Sequence, residues 1–193
     1  MDSLEAMGIL TNFGTFMFTL PLGLNIAGSL LVGNSLGDNN PKQAVQIAKT
    51  SMLLSLMGSV TIAVTLYFLK DVIPIMFTSI SSVKLEFSST FLWYAVNFVP
   101  DMWQSALGGI LKGLGYQGKA AWVQVFISWL VFIPFSYHFG VKGKWAGGLW
   151  LGCFVGNSCL SVVYGFIVLM TNWEERAEEV HQQMKAENQG KPE

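Results

Sequence analysis

Residues 87–111 read FSSTFLWYAVNFVPDMWQSALGGIL, a largely apolar stretch in which Asp101 is the only charged residue. A helix needs roughly 20 predominantly apolar residues to cross the hydrocarbon core of a bilayer. A carboxylate at that depth costs roughly 2.5–3.5 kcal/mol on insertion scales, so an acidic residue inside a span is by default a functional hypothesis. We therefore interpret this stretch as a membrane helix that carries a functional carboxyl group.

The composition of the whole chain agrees with a membrane protein. Of its 193 residues, 52% are hydrophobic and only 12% are charged, whereas soluble domains have a charged share of roughly a quarter. The net charge of −1 argues against a nucleic-acid partner, since binding phosphates needs a clustered excess of Lys and Arg. The sequence therefore predicts an all-α integral membrane protein whose main partner is the lipid bilayer.

Charged side chains avoid the hydrocarbon core, so the uncharged intervals between them outline the membrane spans. These intervals predict five transmembrane helices, at approximately 9–33, 48–69, 87–111, 120–141 and 146–170. Dense turn signals at 37–41 and 113–118 separate the first span from the second and the third from the fourth. The apolar stretch 72–83 is short and contains Pro74, which favours a reentrant or interfacial segment over a sixth crossing.

The chain divides into a membrane region, 1–173, and a charged tail, 174–193. Thr171 and Glu174 fit a T-x-x-E capping box, which predicts a short helix after the last span. Loop lysines are equally numerous on the two sides of the membrane, and Arg176, Lys185 and Lys191 favour a cytosolic C-terminus. The N-terminus has no basic region or small-residue cleavage site, so no signal peptide is predicted.

A polar stripe follows one face of the helix that contains Asp101. At helical spacing this face presents Tyr94, Asn97, Asp101, Gln104 or Ser105, and Gly108. Pro100 removes a backbone donor inside the helix, and the resulting kink lies beside the carboxyl group. Irregular backbone at membrane depth is tolerated where it lines a cavity, as in the broken helices of transporters.

From this stripe we predict a substrate- or ion-binding set of Asp101, Asn97, Tyr94 and Gln104, with Pro100 as the helix-breaking residue. An alternative is that Asp101 stays neutral, or bonds to Asn97, and only packs helices together.

Other polar residues in the spans have two open interpretations. Asn25, Gln124, Ser128, Asn157, Ser158 and Ser161 either join helices by hydrogen bonds, which we favour for most of them, or line a wet cavity. Gly148, Gly152 and Gly156 form a G-x-x-x-G-x-x-x-G run that allows another helix to approach closely.

Neither a catalytic Ser/His/Asp set nor a nucleotide-binding glycine loop is present. Cys153 and Cys159 are six residues apart and fall on different helix faces, so neither a disulfide nor a metal pair is expected. We therefore predict no enzyme activity, no cofactor and no metal site.

Three motifs resemble those of one family. Residues 32–44, VGNSLGDNNPKQA, are similar to a "VGNxLGxGNPxxA" loop, with Asn39 in place of the usual glycine. Residues 101–117, DMWQSALGGILKGLGYQ, resemble an acidic residue followed by "GxxxGxGxQ". Residues 171–177, TNWEERA, look like the "TDWxxxA" segment of eukaryotic members. In this order, the motifs resemble the C-terminal part of a multidrug and toxin extrusion (MATE) transporter.

The resemblance implies a fold, an activity and a place for Asp101. The five spans would be helices eight to twelve of a twelve-helix transporter with two lobes, so the chain would be a partial C-terminal lobe with a cytosolic tail. Family members are secondary active antiporters that export organic cations and other xenobiotics, and the eukaryotic-like tail indicates exchange for protons rather than Na⁺. Asp101 matches the acidic position of the tenth helix, whose glutamate partner lies on the seventh helix, outside this sequence.

Two hypotheses follow from the resemblance. In the first, the chain is a fragment of a proton-coupled antiporter of the plasma membrane or a vacuolar or vesicular membrane. In the second, it is a truncated fragment that does not transport, or a subunit that interacts with other membrane proteins. The second hypothesis stays open because the N-terminal lobe and the seventh helix are missing from the sequence.

Overall fold

The computed structural model describes residues 2–77, 80–143, 145 and 147–189, which form helices and no strand. The helices are α1 (Asp2–Met17), α2 (Thr19–Gly37), α3 (Pro41–Leu69), α4 (Ile73–Phe77), α5 (Ser81–Gly113), α6 (Gln117–Ile127), α7 (Ile133–Ser136), α8 (Gly147–Met170) and α9 (Trp173–Gln189). Two π-helical segments, Ser128–Phe132 and Tyr137–Lys142, flank α7. The predicted all-α membrane fold is confirmed.

The first predicted span is a helix interrupted at Phe18. α1 and α2 together give a stretch of 31 residues, Met7–Gly37, that is long and apolar enough to cross a membrane. Pro21 lies in the first turn of α2 and has no N–H to donate to the carbonyl four residues earlier, which explains a break at this position. The Thr19 hydroxyl donates to the Phe16 carbonyl at 2.8 Å and supports the chain there.

The turn between α2 and α3 explains the one departure from the family's loop motif. Asn39 has a φ of +54°, in the left-handed region, where glycine is favoured and asparagine is the best tolerated alternative. Asn40 then caps α3, because its side chain accepts a hydrogen bond from the Gln43 N–H at 3.1 Å, and Pro41 occupies the first helical position. Asn39 therefore adopts the backbone conformation for which the glycine of the motif is suited.

α5 is the central helix of the bundle. It is 33 residues long and packs against α1, α2, α3, α6 and α8. The stretch 72–83 does not cross the membrane as a separate helix in the described residues, since α4 has five residues and α5 begins at Ser81. Residues 78 and 79 of that stretch lie outside the described residues.

Four helical stretches have the length and hydropathy of membrane spans: Met7–Gly37, Pro41–Leu69, Gln117–Lys142 and Gly147–Met170. α5 is not among them because its polar stripe lowers its hydropathy. That α5 also crosses the membrane remains a prediction, favoured by its length and by the helices that surround it. The fifth predicted span begins at residue 146, which lies outside the described residues together with Lys144.

The fourth predicted span contains irregular turns that the sequence pattern did not predict. Between α6 and Lys142 the chain alternates π-helical and α-helical turns around Pro134. A proline inside a helix removes one backbone hydrogen bond, and π-helical turns often accommodate such an interruption. The helix continues to Lys142 nevertheless.

α9 follows the last span, but the predicted capping box is wrong. The Thr171 hydroxyl donates to the Ile167 carbonyl at 2.8 Å, within the preceding helix. Asn172 caps α9 instead: its side chain accepts from the Glu175 N–H at 3.5 Å and donates to the Glu175 carboxylate at 3.2 Å. α9 packs against α2 and α3, and Lys191, in the predicted tail, lies outside the described residues.

Large apolar side chains cover the outside of the bundle. Phe16, Phe68 and Leu169 are 74%, 74% and 82% exposed, as expected for side chains that face lipid. The interior has two apolar clusters, one around Leu107, Ile110 and Leu111 and the other around Phe87 and Phe91. The polar residues of α5 lie between these clusters along the helix.

Candidate functional site

Three polar side chains join α5 to α8 at mid-span. The Nδ2 of Asn157 on α8 donates to Oδ1 of Asn97 at 3.2 Å and to Oδ1 of Asp101 at 3.1 Å, both on α5. On α5 itself, Gln104 Nε2 donates to the same Asp101 oxygen at 3.4 Å. Asp101 is therefore held by two amide groups from two helices.

The backbone at Pro100 contacts the same turn of α8. Ser161 Oγ lies 3.3 Å from the Pro100 carbonyl oxygen and 2.8 Å from the Asn157 carbonyl oxygen. Its one proton can be donated to either acceptor. Asn157 and Ser161, four residues apart on α8, thus contact the Asp101 carboxyl group and the Pro100 carbonyl oxygen next to it.

Asp101 and Asn97 border a cavity of about 470 Å³ between α1, α5, α8 and the helix that begins with α6. The cavity is lined by Thr11, Gly14, Thr15, Phe18, Tyr94, Asn97, Phe98, Asp101, Gln124, Ile127, Ser128, Phe132, Trp150, Cys153, Gly156, Asn157 and Leu160. A space of this size suits a small organic molecule. Among the lining residues, Asp101 is the only one with an acidic side chain.

One wall of the cavity is aromatic. The ring of Tyr94 is 5% exposed and meets Trp150 edge to face, with 4.8 Å between ring centroids. The indole N–H of Trp150 is buried and has no hydrogen-bond partner in the described part of the chain. Aromatic faces beside a carboxylate are a favourable environment for an organic cation.

The structure divides the predicted polar stripe. Tyr94, Asn97 and Asp101 line the cavity, whereas Gln104 contacts Asp101 without lining it. Ser105 is turned toward α2, where its hydroxyl donates to the Pro21 carbonyl at 3.0 Å. The predicted site residues are therefore brought together around the cavity, although Gln104 lies behind the carboxyl group. They are Tyr94, Asn97, Asp101 and Gln104.

Sequence reasoning missed part of the cavity wall. Thr11, Thr15 and Trp150 have no pattern that separates them from ordinary residues of an apolar helix. Asn157, Gln124 and Ser128 were assigned mainly to bonding between helices, yet all three line the cavity. Asn157 does both, since it also bonds to α5.

The other polar residues mostly join helices, as predicted. Asn25 Nδ2 donates to the Ser105 carbonyl at 2.7 Å, and Lys112 Nζ donates to Asn25 Oδ1 at 2.9 Å. Ser158 bonds within its own helix, to the Phe154 carbonyl at 2.6 Å. Most of these groups are therefore structural.

The predicted role of the glycine run is confirmed. A Cβ added to Gly148 would overlap the backbone of Phe139 and Gly140, and one on Gly152 would overlap Ser136. α8 thus packs directly on the irregular helix that precedes it. In the described residues Cys153 and Cys159 are free, and no group of three or more His, Cys, Asp or Glu is placed to hold a metal ion.

Comparison with known proteins gives one family. The model of the MatE family matches residues 1–138, which is more than half of the chain. Protein DETOXIFICATION 14 of Arabidopsis thaliana is 28% identical over 172 residues, covering 87% of this chain and 35% of that protein. Protein DETOXIFICATION 32 of the same plant is 30% identical over 176 residues, covering 91% of this chain and 34% of that protein. The chain therefore spans about a third of the length of these relatives.

Solved structures agree with the sequence comparison. A crystal structure of the eukaryotic MATE transporter AtDTX14 is similar with a TM-score of 0.87 and 27% identity, covering 94% of this chain and 41% of that one. An inward-facing multidrug resistance MATE family transporter of the MOP superfamily has a TM-score of 0.70 at 16% identity, covering 94% and 43%. The second likeness concerns the fold alone.

Proposed function

This chain belongs to the MATE family of transporters, and we propose that it supplies part of the transport site of an antiporter that exports organic cations in exchange for protons. The observation that supports this most directly is Asp101, the only acidic side chain among the described residues that line the cavity. It follows Pro100 inside α5 and lines the same cavity as the aromatic pair Tyr94 and Trp150. An acidic group in this position provides the one negative charge that a cation or a proton needs at membrane depth.

The chemistry of exchange follows from having a single carboxyl group. Asp101 can hold a proton or pair with a cationic substrate, and the two occupants exclude each other. Tyr94 and Trp150 offer aromatic surface to the organic part of the substrate, while Asn97 supplies a polar group next to the carboxyl. Protonation from one side of the membrane would then release the substrate, and loss of the proton on the other side would allow the next one to bind.

The rest of the transport pathway would come from segments outside this sequence. The chain has about a third of the length of its relatives. We propose that its helices are the eighth to twelfth of a two-lobed transporter, completed by an N-terminal lobe and a seventh helix. The protein is integral to a membrane, and we assign it to the plasma membrane or a vacuolar or vesicular membrane, with a cytosolic C-terminus.

Replacing Asp101 with asparagine in the longer protein that contains this chain tests the proposal. The variant keeps the shape of the side chain and removes its charge. We expect efflux of ethidium, an organic cation, to fall by at least about tenfold, because truncating a buried charged group costs roughly 2–5 kcal/mol. The measurement is ethidium efflux at equal expression, in cells lacking other multidrug exporters, with and without a proton gradient.

Asp38→Asn is the matched control, since Asp38 is exposed in the turn after α2. We expect its efflux to stay within about twofold of the wild type, because isolated exposed charges contribute little. Wild-type efflux and wild-type dependence on the proton gradient in Asp101→Asn would rule out the proposed role of the carboxyl group.

A second candidate function is a fragment or interaction subunit that does not transport. The exposed apolar faces of the described helices favour it, because they offer a surface to another membrane subunit. The same ethidium assay with the 193-residue chain alone separates the two. Proton-dependent efflux by the isolated chain would exclude the second function.

A further inference from the structure

We infer that Asn157 is a positioning residue that decides which oxygen of Asp101 exchanges its occupant. The inference rests on the proposed function for the identity of that occupant, a proton or an organic cation. The orientation of the carboxyl group by Asn157 rests only on the contact between α5 and α8.

The two oxygens of the Asp101 carboxyl group have different surroundings. Oδ1 accepts from Asn157 Nδ2 at 3.1 Å and from Gln104 Nε2 at 3.4 Å. Oδ2 receives no hydrogen bond from any residue that the structure describes. Oδ1 already accepts hydrogen bonds from two amide groups. Oδ2 is therefore the oxygen that is open to a proton or a cationic group.

Asn157 is the stronger of the two constraints. Its distance to Oδ1 is shorter than that of Gln104, and it reaches the carboxyl group from a different helix. The same amide nitrogen also donates to Asn97 Oδ1 at 3.2 Å. Its two N–H groups are thus divided between Asn97 and Asp101, which holds both α5 side chains in one orientation.

The packing of α8 keeps Asn157 in this position. Gly156, its neighbour, lies against Phe132, and Leu160, one turn on, is 2% exposed. Ser161 contacts the Pro100 carbonyl oxygen from the same face of α8. Rotation of α8 would therefore have to break the contact to the Pro100 carbonyl oxygen together with the contact to the Asp101 carboxyl group.

Carbodiimide labelling of the 193-residue chain tests the inference without any need for transport. Dicyclohexylcarbodiimide enters apolar sites and reacts with the neutral form of a carboxyl group, and mass spectrometry of the labelled peptide gives the rate at Asp101. In Asn157→Leu the donor is lost at similar side-chain volume. We expect labelling at neutral pH to be at least about threefold faster, because hydrogen bonds to the charged form favour that form and here one of them is removed.

Two further variants separate hydrogen bonding from loosened packing. Asn157→Gln keeps an amide donor and is expected to restore the labelling rate to within about 1.5-fold of the wild type, with donor strength unchanged. Ser158→Ala, next on α8, removes a hydroxyl that donates to the Phe154 carbonyl in its own helix and to no other residue in the described part of the chain. It should leave the rate unchanged. Equal rates in Asn157→Leu and the wild type, or in Asn157→Gln and Asn157→Leu, would overturn the inference.

The labelling result and the efflux result are independent. If Asp101→Asn abolishes efflux while Asn157→Leu labels like the wild type, the proposed function stands and the role of Asn157 is wrong. If Asn157→Leu labels faster while Asp101→Asn exports ethidium normally, Asn157 orients the carboxyl group and the proposed function is wrong.

Discussion

Glycine residues set the distance between α2 and α5. A Cβ on Gly109 would lie 2.8 Å from the Cα of Asn25, and one on Gly113 would lie 2.8 Å from the Ser29 carbonyl oxygen. Gly28 is on the same interface, but its added Cβ would meet Gly109 and Ile110 backbone atoms at 3.8 Å, an ordinary contact. Two neighbouring glycines at one interface thus have different tolerance for a methyl group.

Gly109→Ala is therefore expected to destabilise the bundle, and Gly28→Ala is its matched control. At Gly109 the clash involves backbone atoms of α2, which cannot move as a side chain can, and overpacking of this kind costs about 1–3 kcal/mol. At Gly28 the methyl group fits, and alanine favours the helix by up to about 1 kcal/mol. Thermal unfolding of the purified chain in detergent should show a lower midpoint for Gly109→Ala only; equal midpoints for the two variants would contradict the packing described here.

At the scale of the helix, α9 is attached to the ends of two membrane helices. Arg176 Nε donates to the Leu114 carbonyl at 2.7 Å, and its guanidinium lies 4.9 Å from the centre of the Tyr116 ring. Farther along α9, a ring nitrogen of His181 lies 2.5 Å from the Gly37 carbonyl oxygen. Leu114 and Gly37 are at the C-terminal ends of α5 and α2, where unpaired carbonyls and the helix dipole favour donors and cations.

Arg176→Ala is expected to release α9 from these ends. A hydrogen bond from a charged donor contributes about 1.5–3 kcal/mol, so hydrogen exchange of the α9 amides should accelerate by roughly tenfold or more. The measurement is hydrogen–deuterium exchange of the chain followed by mass spectrometry of peptides from α9.

Glu179→Gln provides the control for the same side chain. Glu179 pairs with Arg176 at 2.5 Å but is 51% exposed, and such surface pairs contribute roughly 0–1 kcal/mol. Exchange in α9 should therefore remain close to the wild type in Glu179→Gln. Exchange in Glu179→Gln as fast as in Arg176→Ala would show that the ion pair, and not the bond to Leu114, holds α9.

For the whole molecule, the contacts of α9 assign the loops to two ends of the bundle. Arg176 and His181 place α9 at the end that contains the turn after α2 and the turn after α5. α3 and the helix that begins with α6 both run from this end; α3 ends at Leu69, next to Lys70, and the other helix ends at Lys142. The structure thus shows which loops share an end of the bundle. The number of lysines in the loops did not distinguish the two ends.

Cysteine labelling in sealed membrane vesicles checks this topology. In a background with Cys153 and Cys159 replaced by alanine, Lys42→Cys and Gln182→Cys should react with a membrane-impermeant maleimide from one side. Asp71→Cys and Lys142→Cys should react from the opposite side only. α3, a helix of 29 residues, separates Asp71 from Lys42, and the 26-residue stretch Gln117–Lys142 separates Lys142 from the turn after α5. Labelling of Asp71→Cys and Lys42→Cys from the same side would show that α3 does not cross.

The arrangement of spans was predictable from the chain because hydropathy and charge act locally. Lipid excludes charged side chains wherever they occur along the sequence, so the intervals between lysines and acidic residues outline the helices without knowledge of their neighbours. The membrane helices and the central position of Asp101 in its stretch follow from this. By contrast, the left-handed conformation of Asn39 and the interruption of the first span at Phe18 became visible only in the backbone of the structure.

The partners of Asp101 depended on how the helices are rotated against each other. Asn157 is 56 residues away in the chain, and its approach is set by Gly152 and Gly156, which allow α8 to contact the preceding helix closely. The same rotation of α5 sends Asn97 toward the cavity and Ser105 toward α2. A pattern along one helix specifies a polar face, but the choice between neighbouring helices at each turn is a matter of packing, and so the site is formed only when α5 and α8 are in contact.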